Sequence, residues 1–350
     1  MTGETAVPTR SEPLAAADRE LIDLFDIGLF DLDGVVYVGA DPVPGAPAEL
    51  RRARERGLRV SFVTNNASRT PDAVIEHLER VGVHASVADV VTSAQAAATM
   101  VAQRVPAGSH VLVVGGEGLV VAIRERGLVP VSAASDNPAA VVQGFHPDVG
   151  WRILAEGAYA LATGVPWIAS NVDITLPTDG GLAPGNGTLV EVLRLATGKD
   201  PMIAGKPAPP LFVEAVARAR GTRPLVIGDR LDTDIEGAHA AGLPSLLVLT
   251  GVTRLADLVT APPNRRPSYL ARDLGGLFTA HPSPAKVADG ASCGGWTVRL
   301  TAERAELSGG GDALDGARAL LAAVWAAREP AAVDVAEALD DLRRQDASMG

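Results

Sequence analysis

Short apolar runs alternate with longer stretches of helical spacing over most of the chain. Asp26-Ile27-Gly28-Leu29-Phe30 reads as a buried strand that hands over to Asp31-Leu32-Asp33-Gly34. Pro44 to Arg56 has helical spacing and stops at Gly57; Leu58 to Val63 is a second strand, followed at once by Thr64-Asn65-Asn66. Thr70 and Pro71 read as the N-cap and first position of a helix that runs to Arg80. A strand at Asp89–Thr92 and an alanine-rich helix at Ser93–Gln103 come next. Further strands are expected at His110–Val114, Ala139–Gly144, Pro166–Asn171, Pro224–Asp229 and Ser245–Leu249, and helices at Thr188–Thr197, Pro210–Arg220 and Ile235–Ala241. Pro201–Pro207 reads as a short strand and turn, Pro267–Phe278 as a last strand and helix, and Leu176–Gly187, rich in Pro and Gly, as a long loop. Strand-helix alternation of this kind predicts an α/β fold with a doubly wound, Rossmann-like parallel sheet.

Beyond His281 the pattern changes. Pro282-Ser283-Pro284 is a linker, Gly294–Leu300 and Ala302–Ser308 suggest a hairpin, and Asp312–Ala327 and Val333–Arg343 read as helices, together a small α+β module. The expected division is a disordered lead-in over 1–20, a core domain over 21–95 and 201–281, an inserted α/β cap over 96–200, and the C-terminal module over 285–350.

Composition narrows this picture. Hydrophobic content of 47% with 21% charged residues, in 350 residues, suits a globular chain with a sizeable core. No apolar run approaches the ~20 residues needed to span a bilayer, so membrane insertion is not expected. A net charge of -11 argues against nucleic acid as a partner. The single cysteine, Cys293, and the lack of an apolar signal core point to the cytoplasm. Lysine occurs only at 199, 206 and 286, which draws attention to each.

Candidate chemistry sits where strands end. Asp31 and Asp33 leave the first strand as paired carboxylates, Thr64 ends the second, Lys206 follows a short strand, and Asp229 ends a strongly apolar one, with Asp232 and Asp234 just beyond. Taken alone, Asp-x-Asp-Gly is also an ordinary turn, and an EF-hand reading fails because Val35 falls at a ligand position. The glycines of Gly115-Gly116-Glu117-Gly118 do not match Gly-x-Gly-x-x-Gly and read as a tight strand-to-helix turn. In a doubly wound sheet, ligands bind at the carboxyl ends of strands, so four such motifs are expected to converge. The set suits phosphoryl transfer through an aspartyl-phosphate: Asp31 as nucleophile, Asp33 as acid and base, the Thr64 hydroxyl and Asn65 N–H on phosphate oxygens, and Lys206 as fixed positive charge. Carboxylates facing a phosphate require a Mg2+ held by Asp31 and Asp229.

These motifs, Asp31-Leu32-Asp33-Gly34, Thr64-Asn65-Asn66, Gly205-Lys206-Pro207 and Gly228-Asp229 with Asp232 and Asp234, resemble those of the haloacid dehalogenase superfamily of phosphatases over about Leu21–Phe278. The resemblance implies Asp31, the Asp33 carbonyl and Asp229 as Mg2+ ligands, with Asp234 behind them. Gly34-Val35-Val36-Tyr37, Thr64–Arg69 and Pro184–Thr188 are similar to the 4-nitrophenylphosphatase-like branch with its large α/β cap. Implied substrates are small phosphomonoesters, glycerol 3-phosphate first, then phosphoglycolate, pyridoxal phosphate or a broad range, or the same chemistry as a phosphotransferase. The tail resembles part of an acetyltransferase-type fold and is expected to serve a homodimer or to position the cap. Asn66, Asn171 and Asp173 are further candidates for substrate contact, each with an alternative reading as a loop residue. Asp232 reads as a helix-start or cap residue rather than a ligand, and His146 as a loop residue.

Overall fold

The computed structural model describes residues 13–178, 180–301 and 304–347. These divide into two compact units: one holds the residues up to Ser61, Val81–Val83 and those from Ala219 onward, the other Phe62–Arg80 and His84–Arg218.

The first unit is built on parallel strands in the order Tyr269–Ala271, Ser245–Val248, Pro224–Gly228 and Ile27–Phe30, with the start of Arg59–Thr64 next in line. Each of the first four is buried along its whole length. Such strands are continuous apolar runs because a parallel sheet is covered on both faces. The register Phe30↔Ile227 brings the ends of two strands level, and the Asp31 N–H still donates to the Ile227 carbonyl at 2.8 Å. Register alone therefore sets Asp31 beside the strand that ends in Asp229.

The C-terminal residues of this unit form a four-stranded antiparallel sheet, Ala285–Val287, Gly290–Cys293, Trp296–Leu300 and Ala305–Gly309 in sequence order. Two of these strands match the expected hairpin, and the two before it, of three and four residues, were too short to show a readable pattern. Helix Ala313–Ala326 packs on the sheet, and its apolar face (Ala317, Leu320, Leu321, Val324) shares one buried cluster with Leu247, Leu255, Leu258 and Leu270 of the parallel-sheet part. The Trp325 indole N–H donates to the Leu258 carbonyl at 2.9 Å. Arg318, 5% exposed, pairs with Asp315 at 2.7 Å and donates to the Leu270 carbonyl at 2.8 Å.

The expectation of a disordered lead-in is corrected for residues 13–20, and its remainder, 1–12, lies outside the described residues. Leu14 and Ala15 donate backbone N–H groups to Pro267 and Ser268, and Ala17 bridges His281. Leu14 and Ala17 are buried, so two apolar side chains in a polar-looking stretch suffice to anchor it.

The second unit carries a five-stranded parallel sheet in the order Met202–Ile203, Trp167–Ala169, Ala140–Gln143, His110–Val114 and Val129–Val131. Helices Trp151–Ala162 and Asn186–Thr197 cover it through Leu154, Leu161, Val190 and Leu193. The end of Arg59–Thr64 pairs with Val90–Thr92 in the same unit, Thr64 opposite Thr92. The turn before helix Glu117–Glu125 is tight, as expected: a Cβ on Gly118 would lie 2.4 Å from the Ala67 carbonyl. The expected long loop over Leu176–Gly187 is corrected to an antiparallel ribbon, Thr175–Thr178 with Gly181–Pro184, leading into the helix that starts at Asn186. Pro and Gly signal a loop, yet a two-stranded ribbon leaves alternate N–H groups facing outward, where a proline such as Pro184 is tolerated.

Candidate active site

In the first unit the chain turns immediately after Asp31. The Leu32 carbonyl accepts N–H groups from Val35, Val36 and Tyr37, and the Gly34 N–H donates back to the Tyr37 carbonyl. Gly34 has φ +81, and a Cβ there would sit 2.5 Å from the Asp229 carboxylate. Glycine is thus required twice over, for its backbone angle and for space. Asp31 is half-buried and Asp33 exposed, the placement expected of a group that exchanges protons with substrate and water.

Asp229 is fully buried. Its carboxylate accepts the Val252 N–H at 2.7 Å and its carbonyl the Thr253 N–H at 3.2 Å. A Cβ on Gly251 would lie 2.0 Å from Asp229 Oδ2, so this loop is wrapped directly on the carboxylate. The Thr250 hydroxyl donates to the Gly34 carbonyl at 2.6 Å, tying the same loop to the turn after Asp31. Asp234, 1% exposed, sits on the wide π-helical turn Leu231–Ile235 and accepts the Arg230 N–H at 3.1 Å.

Asp31, Asp229 and Asp234 each offer a carboxylate oxygen, and these atoms lie within 4.8 Å of one another. Three carboxylates so close, two of them buried, repel one another strongly unless a cation joins them. Oxygen-only donors suit a hard divalent ion, so the residues present fit Mg2+. Asp234 is one of the three carboxylates in this cluster. Asp232 stands in the first turn of Leu231–Ile235, as the helix-start reading expects, without capping it. It pairs with Arg230 at 2.9 Å; burial raises its pKa, but the Arg230 hydrogen bond and charge outweigh this and leave it lowered.

The second unit gathers the other candidates. Thr64, 5% exposed, ends its strand and its hydroxyl accepts the Asn66 N–H at 3.1 Å. The Asn66 side-chain oxygen accepts from the Ser68 N–H and hydroxyl and from the Arg69 N–H, so that oxygen shapes the turn into helix Pro71–Arg80. The Thr70 hydroxyl accepts the Ala73 N–H at 3.4 Å, as its cap role predicts. Lys206 is 3% exposed and its ammonium donates to the Val63 carbonyl at 3.3 Å. Asn171, 5% exposed, donates its amide to the Asn65 carbonyl at 2.7 Å and accepts the Asp173 N–H at 3.3 Å, so it braces the loop at Asn65. The Asp173 carboxylate accepts the Asn65 amide at 3.2 Å. His146 stays a loop residue, with its Nδ1 accepting the Asp148 N–H.

Sequence reading passed over Thr250, Gly251 and Ser93, whose hydroxyl donates to the Asn65 carbonyl at 2.6 Å. Thr250-Gly251 directly follows an apolar strand, the same signal that picked out Asp31 and Asp229.

Comparison with known proteins agrees with this geometry. A family described as haloacid dehalogenase-like hydrolase matches residues 28–129, and a second HAD-hydrolase-like family matches 203–277. A GCN5-related N-acetyltransferase like domain matches 293–344. The chain is 49% identical to the D-glycerol 3-phosphate phosphatase of Mycobacterium tuberculosis over 309 residues, 87% of this chain and 86% of that one. A crystal structure of the glycerol phosphate phosphatase from Mycobacterium tuberculosis in complex with magnesium superposes with TM-score 0.82 at 48% identity, covering 89% of this chain and 93% of that one. A p-nitrophenyl phosphatase from Archaeoglobus fulgidus matches with TM-score 0.67 at 27% identity, over 73% and 98% of the two chains. Ordered motifs, a carboxylate cluster and nearly full-length similarity agree: the chain belongs to the haloacid dehalogenase-like hydrolases.

Proposed function

We propose that this chain is a Mg2+-dependent phosphatase of small phosphomonoesters, with glycerol 3-phosphate as its substrate. The observation that carries the chemistry is the Asp31, Asp229 and Asp234 cluster at the level strand ends. The substrate rests on the 49% identity to a D-glycerol 3-phosphate phosphatase. An Asp31 oxygen attacks phosphorus and the ester P–O bond breaks, the leaving alkoxide taking its proton from Asp33. Asp33, now a carboxylate, takes a proton from water, whose oxygen attacks phosphorus. The bond from phosphorus to Asp31 then breaks, releasing phosphate and restoring the Asp31 carboxylate. Asp31, the Asp33 carbonyl, Asp229 and Asp234 are the residues that would hold Mg2+. Bound there, the ion supplies charge neutralisation between the carboxylates and the phosphate. Thr64, the Asn65 N–H and Lys206 are assigned to the phosphate oxygens on their sequence motifs.

The same reading divides the chain into core (21–95 and 201–281), cap (96–200) and C-terminal module (285–350). The separate parallel sheet of the second unit supports the cap assignment. A cytoplasmic setting is part of the proposal, supported by a single buried thiol, Cys293. A homodimer is part of the proposal, consistent with the strand Ala285–Val287 at an edge of the C-terminal sheet, since an edge strand can pair with another chain.

The test is phosphate release from glycerol 3-phosphate with and without Mg2+. Release that needs the ion and falls by roughly 10^3-fold or more in Asp31→Asn is expected. An Asp31→Asn enzyme with full turnover contradicts the reading. A broader specificity is favoured by the likeness to a p-nitrophenyl phosphatase and would appear as similar rates on unrelated esters.

A further inference from the structure

A buried lysine is useful only if its ammonium is held in one place, because its four-carbon stem has many rotamers. Lys206 is 3% exposed, and its own peptide is gripped on both sides by one side chain. The Asn65 Oδ1 accepts the Lys206 N–H at 2.8 Å, and the Asn65 Nδ2 donates to the Lys206 carbonyl at 3.0 Å. The same Nδ2 reaches the Asp173 carboxylate at 3.2 and 3.3 Å. An asparagine amide has two N–H donors, and both are committed here. The Asn65 backbone is fixed as well, since its carbonyl accepts the Ser93 hydroxyl at 2.6 Å and the Asn171 amide at 2.7 Å. Gly205 allows the close approach: a Cβ there would lie 2.5 Å from Asn65 Oδ1 and 2.4 Å from the Ser170 carbonyl.

We infer that Asn65 is a positioning residue. Its carboxamide, oriented by the Asp173 carboxylate, clamps the Lys206 peptide and so sets where the lysine charge sits. The inference rests on the phosphatase reading above, in which Lys206 stabilises charge that grows in the transition state. Asn65 acts through Lys206, so its loss lowers kcat more than it weakens substrate binding.

Two variants and two kinds of readout test this. Asn65→Ala removes the clamp. Asn65→Asp keeps the shape but sets a carboxylate against both Asp173 and the Lys206 carbonyl. For each, kcat with glycerol 3-phosphate is expected to fall about 100-fold, with KM within about threefold. Inhibition by orthovanadate, a transition-state mimic, weakens in parallel, while inhibition by inorganic phosphate stays within about threefold. In Asn65→Asp, the added change Asp173→Asn restores a carboxylate–amide pair with roles exchanged, and about tenfold of the lost kcat returns. Independently of activity, hydrogen exchange at the Lys206 amide speeds up about tenfold or more in Asn65→Ala. Unchanged exchange there overturns the clamp, as does kcat retained within threefold in both variants, or vanadate and phosphate inhibition weakening equally. If wild-type protein hydrolyses no phosphomonoester while the exchange result holds, the clamp stands and the phosphatase reading falls.

Discussion

At the residue scale the chemistry depends on few atoms and on the glycines that make room for them. Asp33→Asn removes the proton donor and acceptor of the proposed mechanism and keeps the side chain's size. Turnover is expected to drop by about 10^2- to 10^4-fold with the fold unchanged, which a steady-state assay beside a thermal melt checks. Gly251→Ala places a methyl group where 2.0 Å separates it from Asp229 Oδ2. A shift of Asp229 is expected, raising the Mg2+ concentration that gives half-maximal activity about 10–100-fold. An unshifted Mg2+ titration would show that the loop yields instead. Asp31, Asp33, Lys206 and Asp229 could be proposed from sequence because each is a polar residue at or just beyond the end of a strand, in a fixed order. The jobs of Thr250, Gly251, Ser93 and the Asn65 carboxamide could not, because each depends on a partner far along the chain. Asn171 and Asn66 show the same limit: their residue type was informative, but whether an amide meets substrate or braces a loop depends on the three-dimensional path.

At the scale of elements, the parallel strands were the most readable part, and the places where elements meet were the least. Fully apolar runs such as Pro224–Gly228 fix their own identity. The ribbon Thr175–Thr178/Gly181–Pro184 hid behind its prolines and glycines, and the anchoring of residues 13–20 depends on backbone bonds to residues some 250 positions away. The junction between the parallel-sheet part and the C-terminal residues carries a titratable group. His281 is 2% exposed, with Nε2 donating to the Gly276 carbonyl at 2.8 Å and Nδ1 facing the Arg318 guanidinium at 3.3 Å. Burial first, and the Arg318 charge after it, push its pKa down to about 4, against a partial upward pull from the Gly276 carbonyl. The folded state thus holds His281 neutral where an unfolded chain would protonate it. Its contribution is complete above the unfolded value near 6.5 and is lost as pH falls from there toward about 4. Unfolding free energies from denaturant titrations are expected to decline across that window, by on the order of 3 kcal/mol, and His281→Gln should flatten the decline. An equally steep decline in the variant would assign the effect to other groups.

At the scale of the whole molecule, the C-terminal residues belong to the first unit's core and are more than an addition to it. Leu247, Leu255, Leu258 and Leu270 share one apolar cluster with Leu314, Leu320, Leu321 and Val324. Removing the chain from Pro282 onward would expose those leucines together with the Leu270 carbonyl that Arg318 now satisfies. Each leucine uncovered costs about 1.5–3 kcal/mol, enough in sum to exhaust the stability of an ordinary domain. The truncated chain is expected to be insoluble or to bind a hydrophobic dye, and a soluble truncation that melts like the full chain would contradict this. The most direct test of the central claim is kcat/KM for phosphate release with Mg2+ across glycerol 3-phosphate, phosphoglycolate, pyridoxal phosphate and 4-nitrophenyl phosphate. A clear preference for glycerol 3-phosphate is expected, at least about tenfold over the others, with release abolished by chelating the metal. No release from any of the four, or release indifferent to chelation, would contradict it.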